Sequence, residues 1–283
     1  MPKLLALGEQ CTCGSELREC AEWGRVFSEL ASSTGVDLRV DPYGLYLDDA
    51  MKRKDGSGKI DHRRQTIGRV AIARFRGAMD TLGLALPAAI GGAWASLPSV
   101  KSGMNNTMML FSAATKVWNK EMVIDASKLP RKAIHLYRAF PDEVRILHLT
   151  RDGRGVCASR MAHMSFERAA KRWQHYHRIT TRLLDRWVDP DRRFFLRYED
   201  FTVDPERWMK QLCAWMGVSF EPQMLVFNSD GITHSAGGNP TRFKLADEGI
   251  RPADDNWRSK LSAVNIAQFE TLAGSINRQL GYR

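Results

Sequence analysis

Apolar side chains recur along the chain with two different periods, and the pattern is clearest after residue 120. Between residues 165 and 187 they return every three to four positions, which predicts one long helix. A second helix is predicted from the loop at 150–154 to about residue 163. The same period predicts further helices over 16–33, 62–83, 104–120, 130–140, 204–216 and 259–280.

Short continuous apolar runs predict strands. Residues 122–128, 144–149 and 193–198 are typical of buried strands, and residues 4–9 are typical of the tail of a strand. Because these strands alternate with helices, the chain is expected to be an α/β protein with crossover connections and a parallel sheet. A charged loop over 50–62 contains Gly-Ser-Gly-Lys, which lacks the frame and the preceding strand of a phosphate loop.

The length of 283 residues allows one large α/β domain, and the net charge is +10, from 42 Lys and Arg against 32 Asp and Glu. This excess is typical of a basic enzyme surface or of a protein with a polyanionic partner. Zinc-finger spacing and an aromatic-interleaved basic stripe are both missing, so a nucleic-acid partner is not expected. The sequence also has no run of 18 apolar residues and no signal-peptide pattern, so no membrane span is expected.

The odd number of cysteines, five, favours a reducing compartment and hence a cytoplasmic location. Cys157 and Cys213 stand in apolar helical contexts that predict buried packing residues. Cys11, Cys13 and Cys20 cluster near the start, where three thiols could contribute to a zinc site or hold one disulfide. Because no fourth Cys or His follows at ligand spacing, we expect no metal.

The most informative segment begins where the strand over 144–149 ends. A charged glycine loop, 150–154, follows the strand and leads into a helix. Ligands of parallel α/β sheets bind outside the carboxyl ends of strands, and a helix N-terminus presents free N–H groups to phosphate. Arg151 can offer a bidentate fork to that phosphate, and Ser159, about one turn into the helix, can add a hydroxyl. The alternative is that Arg151 pairs with Asp152 or Glu199 as part of the scaffold.

Three segments in this order resemble the sulfotransferase family, most closely its bacterial branch and the protein-tyrosine sulfotransferases. They are Asp125-Ala-Ser-Lys-Leu-Pro130, Thr150-Arg-Asp-Gly-Arg154 continuing to Ser159, and Arg197-Tyr-Glu-Asp200. The resemblance is strongest over 122–219. It implies that Arg151 and Ser159 bind the 3′-phosphate of the sulfate donor 3′-phosphoadenosine 5′-phosphosulfate (PAPS).

The resemblance implies further site residues. Lys128 corresponds to a lysine near the transferring sulfuryl group, and Glu9, after Gly8, corresponds to a catalytic glutamate. In a late loop over 237–242, Arg242 would contact the 3′-phosphate and Ser235 would reach the sulfuryl end. Surface roles for Lys128 and for this loop remain alternatives.

Other polar residues are expected to serve the scaffold. Tyr198, Glu199 and Asp200 form a polar strand end that is more typical of a structural cluster than of a catalytic one. His148 lies within a predicted strand and is expected to be a hydrogen-bonded core histidine.

Family members open with a strand, a loop similar to Arg-Ser-Gly-Thr-Ser that holds the 5′-phosphosulfate, and a helix. Such a segment is not found here, so we expect a single sulfotransferase domain over 1–283 that is N-terminally incomplete or has lost this half of the cofactor site. Residues 35–120 would form a variable helical region on the acceptor side.

The resemblance implies a three-layer α/β/α fold with a parallel sheet, related to P-loop nucleotide-binding proteins. The expected activity is sulfuryl transfer from PAPS to a hydroxyl, without a metal, and the expected acceptor is a carbohydrate or glycoconjugate. A tyrosine or a small molecule is the second choice of acceptor. The alternative function is a catalytically degenerate protein of this fold that binds a nucleotide or a polyanion.

Overall fold

The computed structural model describes residues 1–45, 47, 98–226, 234–238, 243, 250, 253 and 255–283. These residues belong to two compact units: Met1–Ala139 with Asp230–Leu245, and Phe140–Ser229 with Ala246–Arg283. The predicted loop over 50–62, the predicted helix over 62–83 and Arg242 lie outside the described residues. No helix in the described part of the chain is long and apolar enough to cross a membrane.

The first unit contains four helices in its described part. They are α1 (Pro2–Ala6), α2 (Ala21–Thr34), α3 (Pro98–Trp118) and α4 (Pro130–Ala139). The apolar face of α2 is fully buried, and α2 ends at Gly35, whose φ of 71° is the left-handed conformation that glycine adopts most readily. Polar contacts join α2 to α3: Trp118 Nε1 donates to Glu22 at 3.1 Å, and Lys116 Nζ donates to Glu29 at 2.6 Å.

Two strand predictions in this unit are wrong. Residues 4–9 do not form the tail of a strand, because the chain folds into α1 with a helical hydrogen bond from Leu5 N to Met1 O of 3.2 Å. Residues 122–128 do not form a buried strand either. Ile124 is 81% exposed, and the carboxylate of Asp125 accepts a hydrogen bond from the N–H of Ser127 at 2.8 Å, a turn that interrupts extended pairing.

The second unit contains the sheet. Strands β1 (Ile146–Thr150) and β2 (Arg193–Arg197) pair in parallel, with Ile146 opposite Arg193 and Thr150 opposite Arg197. Between them the chain passes through α5 (Gly153–Arg160) and the long helix α6 (Phe166–Trp187). Both strands, the crossover and the parallel pairing confirm the sequence-based predictions and the α/β class.

The remaining elements of this unit follow β2. They are α7 (Tyr198–Val203), α8 (Pro205–Met216), α9 (Trp257–Lys260) and α10 (Ala263–Gln279), with a 3-10 turn at Pro222–Leu225. A further 3-10 turn, Pro190–Arg192, directly precedes β2. Ser262 caps α10 through a reciprocal pair of hydrogen bonds with Asn265. The predicted single helix over 259–280 is therefore two helices, which are separated just before this cap.

Strand β1 is less buried than its apolar sequence predicts. Burial alternates along the strand, and Leu147 and Leu149 are 43% and 49% exposed. On the other face His148 stacks on His177 of α6, with ring centroids 5.8 Å apart. A continuous apolar run therefore forms a strand that is packed mainly on one face in the described part of the chain.

His148 and His177 form a buried pair. The expectation that His148 is hydrogen-bonded is wrong, because His148 Nε2 and His177 Nδ1 have no hydrogen-bond partner among the described residues. Burial lowers the pKa of His148 to about 4 and that of His177 to about 3. Both rings are therefore neutral at neutral pH.

This pair should make stability depend on pH. In the unfolded chain the two histidines bind protons near pH 6.5, whereas in the folded chain they bind them only near the lowered pKa values. The contribution of the neutral pair to the free energy of unfolding is therefore present above about pH 6.5 and lost as the pH falls toward 4. As the pH falls from about 6.5 to 4.5, the free energy of unfolding of His177→Gln should rise relative to that of the wild type by on the order of 2 to 3 kcal/mol. Urea unfolding across this range measures the difference.

The control is His163→Gln, which changes an exposed histidine that lies outside this pair. Its stability relative to the wild type should not follow the same curve. If the wild type and His177→Gln differed in free energy of unfolding by the same amount at every pH, the pH dependence assigned to the histidine pair would be contradicted.

Candidate functional site

The loop that follows β1 is held in place by α10 and by the segment after it. At the strand end, the hydroxyl groups of Thr150 and Tyr282 lie 2.9 Å apart, and both residues are buried. Three residues on, the N–H of Gly153 donates to Asn277 Oδ1 at 3.0 Å, and Asn277 is 2% exposed. The loop conformation therefore depends on residues more than 120 positions away.

Asp152 and Arg154 form a buried ion pair at the start of α5. The carboxylate of Asp152 caps the helix by accepting from Arg154 N at 2.9 Å, and it also accepts from the Arg154 guanidinium at 2.7 Å. Both residues are 8% exposed. The hydrogen bonds to Asp152 raise the pKa of Arg154 above its ordinary value, so the guanidinium stays protonated.

These contacts correct the expected role of the helix N-terminus. The backbone N–H groups of Asp152, Gly153 and Arg154 donate to Glu199, Asn277 and Asp152 respectively. They are consequently engaged in the scaffold, as are Asp152 and Glu199. Asp200 accepts two hydrogen bonds from the Arg197 guanidinium, at 2.6 and 2.8 Å, in keeping with the structural role predicted for this strand end.

Arg151 lies on the side of α5 and not at its tip. A Cβ added to Gly155 would lie 3.7 Å from Arg151 Nε, so the guanidinium passes over the bare backbone of Gly155. The same guanidinium lies 5.4 Å from the centroid of the Tyr198 ring. Arg151 is half-buried and is thus fixed between α5 and the start of α7.

Ser159 lies nearly two turns into α5, further than the one turn expected, and it is exposed. Gly155 and Ser159 are four residues apart and therefore share a face of the helix. The guanidinium of Arg151 lies over the first of these positions and the hydroxyl of Ser159 extends from the second. We name the surface formed by Arg151, Gly155 and Ser159 the α5 face.

The other predicted site residues belong to the first unit. Lys128 is exposed and has a φ of 59°, a left-handed conformation that is uncommon for lysine. Glu9 is half-buried, and its backbone N–H donates to Leu4 O at 3.0 Å. Ser235 is exposed, and its N–H donates to Thr12 Oγ1 at 2.9 Å.

The three N-terminal cysteines meet a histidine that the local spacing did not indicate. The side chains of Cys11, Cys13, Cys20 and His234 bring their ligand atoms within 4.8 Å of one another. We expected no metal because no fourth ligand follows the cysteines at short spacing. His234 lies 214 positions after Cys20, so spacing along the chain does not indicate it. The one feature of the local sequence that could have drawn attention to His234 is that it directly precedes Ser235, a predicted site residue.

Residues 109–222 match the model of the Sulfotransferase family. Over these residues the chain is similar to the sulfotransferase family. The matched segment contains Lys128, Arg151 and Ser159, whereas Glu9 and Ser235 lie outside it.

Two carbohydrate sulfotransferases are among the proteins to which this chain is similar. Carbohydrate sulfotransferase 5 of Mus musculus is 27% identical over 172 residues, and carbohydrate sulfotransferase 6 of Homo sapiens is 26% identical over 172 residues. Each match covers 50% of this chain and 42% of the relative. The chain thus spans less than half the length of these curated relatives.

Two solved sulfotransferase domains are similar in structure. The domain from the curacin biosynthetic pathway is 17% identical, with a TM-score of 0.43, and the match covers 66% of this chain and 75% of that one. The domain from the Synechococcus PCC 7002 olefin synthase is 22% identical, with a TM-score of 0.47, and the match covers 74% of this chain and 78% of that one.

Gly153 is the position in this loop that is most sensitive to size. An added Cβ would lie 2.5 Å from Phe269 Cζ and 2.9 Å from Trp173 Cδ2, distances that force the rings or the loop to move. We expect Gly153→Ala to destabilise the protein by about 1 to 3 kcal/mol, as overpacking of a core does. The midpoint of urea unfolding measures this loss.

Gly155→Ala is the matched control, because its Cβ would make an ordinary contact of 3.5 Å with Trp257 Cδ1. Replacing a helical glycine with alanine there should stabilise the protein by up to about 1 kcal/mol. Equal losses for the two variants would show that the contact with Phe269 and Trp173 is not the cause.

Proposed function

We propose that this chain is a sulfotransferase that transfers the sulfuryl group of PAPS to a hydroxyl of a carbohydrate or glycoconjugate. The α5 face supports the proposal, because the Arg151 guanidinium lies over Gly155 and Ser159 follows four residues later on the same helix, after the carboxyl end of β1. We also propose a single sulfotransferase domain over 1–283, with the three-layer α/β/α architecture, related to P-loop proteins, that the family resemblance implies.

Arg151 and Ser159 would hold the 3′-phosphate of PAPS. A guanidinium can donate two parallel hydrogen bonds to phosphate, and such charge-assisted bonds are stronger than neutral ones. The absence of a side chain on Gly155 leaves room for the Arg151 guanidinium against the helix. The neighbouring carboxylate of Asp152 is paired with the Arg154 guanidinium at 2.7 Å.

The transfer step exchanges one sulfur–oxygen bond for another. The acceptor oxygen forms a bond to sulfur, the bond from sulfur to the bridging oxygen breaks, and the electron pair stays on the departing 3′,5′-bisphosphate (PAP). Lys128 would offset the charge that builds on the bridging oxygen, and the carboxylate of Glu9 would take the hydroxyl proton. Ser235 would reach the sulfuryl end, and Arg242 would contact the 3′-phosphate.

The choice of a carbohydrate acceptor rests on the relatives. Both curated relatives named above are carbohydrate sulfotransferases, although the chain covers 42% of each. Preferential transfer to a tyrosine or to a small-molecule hydroxyl would contradict this part of the proposal.

Arg151→Ala tests the proposed binding of the 3′-phosphate. Loss of the charge-assisted bonds should cost about 1.5 to 3 kcal/mol, which corresponds to a loss of roughly 10- to 150-fold in PAP affinity. Adenosine 5′-phosphosulfate lacks the 3′-phosphate, so its affinity should hardly change. Isothermal titration with both ligands measures the two effects.

Arg207→Ala is the control, since Arg207 is an exposed arginine of α8 and its removal lowers the net charge equally. PAP affinity should be unaffected by that change. If Arg151→Ala weakened both nucleotides equally, the assignment of Arg151 to the 3′-phosphate would be lost.

Lys128→Ala should lower kcat far more than PAP affinity, because a cation at the bridging oxygen acts mainly in the transition state. Transfer of labelled sulfate from PAPS is measured on a panel of oligosaccharides, with a tyrosine peptide and a phenol as comparison acceptors. Lys128→Arg keeps the charge and should retain part of kcat, whereas Lys128→Gly suits the φ of 59° but removes the charge. Unchanged turnover in Lys128→Gly would remove this residue from the site.

A further inference from the structure

We propose that Cys11, Cys13, Cys20 and His234 bind a structural Zn²⁺ ion. This inference is independent of the sulfuryl-transfer proposal. The Sγ atoms of Cys13 and Cys20 lie 3.7 Å apart, and His234 Nδ1 lies 3.2 Å from Cys20 Sγ and 3.7 Å from Cys11 Sγ. All four ligand atoms lie within 4.8 Å of one another.

These distances are close to the edges of a zinc tetrahedron. Zinc binds thiolate sulfur at about 2.3 Å and imidazole nitrogen at about 2.0 to 2.1 Å. Tetrahedral angles then give sulfur–sulfur edges of about 3.8 Å and sulfur–nitrogen edges of about 3.5 Å. The observed separations of 3.7, 3.2 and 3.7 Å need only small adjustments to surround one ion.

The chemistry of the four side chains selects the class of metal. Three sulfur ligands and one imidazole are typical of structural zinc sites, whereas Mg²⁺ and Ca²⁺ require oxygen ligands. The cysteines are free thiols, and the separation of 3.7 Å between Cys13 and Cys20 is far longer than the ~2.05 Å of a disulfide. Because the protein supplies all four ligands, no position is left open for a catalytic water.

The backbone holds the cysteine ligands in place. Gly14, with a φ of 91°, closes a turn in which its N–H donates to Cys11 O at 2.9 Å. The N–H of Cys11 donates to Ser15 O at 2.9 Å, and the N–H of Cys20 donates to Glu16 O at 2.9 Å. These turns bring the three sulfur atoms together without any contribution from the metal.

The histidine ligand is fixed by separate contacts. Trp23 Nε1 donates to the backbone oxygen of His234 at 2.8 Å. The next residue, Ser235, exchanges hydrogen bonds with Thr12: its N–H donates to Thr12 Oγ1 at 2.9 Å, and its oxygen accepts from Thr12 N at 3.3 Å. The ion would therefore join the segment 234–238 to the N-terminal turn and fix the position of Ser235.

The first experiment uses the full chain, purified under reducing conditions. Elemental analysis should find about one zinc per chain. After chelation, titration with Co²⁺ should give the intense visible and thiolate charge-transfer absorption of a tetrahedral sulfur-rich site, which Zn²⁺ should then abolish. His234→Ala should lower the affinity for Co²⁺ by at least ~100-fold, because losing a direct ligand has a larger effect than the 10- to 100-fold loss on removing an outer-shell partner.

Two further variants separate loss of the metal from loss of the fold. His234→Cys supplies a fourth thiolate and should retain the ion while shifting the Co²⁺ spectrum. Cys213→Ala changes a buried cysteine of the second unit and should leave the stoichiometry unchanged. A wild-type chain that gives no tetrahedral Co²⁺ spectrum, a Cys13–Cys20 disulfide in the freshly reduced and purified protein, or full Co²⁺ affinity in His234→Ala would overturn the proposal.

Discussion

The buried ion pair between Asp152 and Arg154 is the interaction on which the candidate site depends. It caps α5, neutralises a carboxylate beside the α5 face and fixes the start of the helix over which Arg151 extends. Replacing both partners with apolar residues can be tolerated in a protein, but removing one typically costs about 3 to 5 kcal/mol because a buried charge is left alone. The pair therefore stabilises the second unit and also influences the charge near the proposed binding site of the 3′-phosphate.

Close packing adds a steric constraint to this electrostatic one. Gly153 faces the rings of Trp173 and Phe269, so the loop approaches α6 and α10 as closely as a residue without a side chain allows. Asn277 then satisfies the N–H that this approach buries. Charge, size and hydrogen bonding thus fix the same three loop residues, 152–154, and they act through different neighbours.

Local sequence patterns predicted the elements that depend on local forces. The long helix α6 and the strands β1 and β2 were correctly predicted because their periodicity and apolar runs are strong over many residues. Residues 122–128 were not, since the side chain of Asp125 captures a backbone N–H and turns the chain. Asn277, Tyr282 and His234 act across 124, 132 and 214 positions, and no periodicity records such contacts.

The hydrogen bond between Gly153 and Asn277 also has a consequence for synthesis on the ribosome. Its partners are 124 residues apart. At about 5 to 20 residues per second, Asn277 is made roughly 6 to 25 s after Gly153. For that interval the start of α5 lacks the partner that accepts the N–H of Gly153. A nascent chain at this stage has the arginine of the proposed site but not its geometry, and chaperone or ligand contacts that act this early meet a different loop from the folded one.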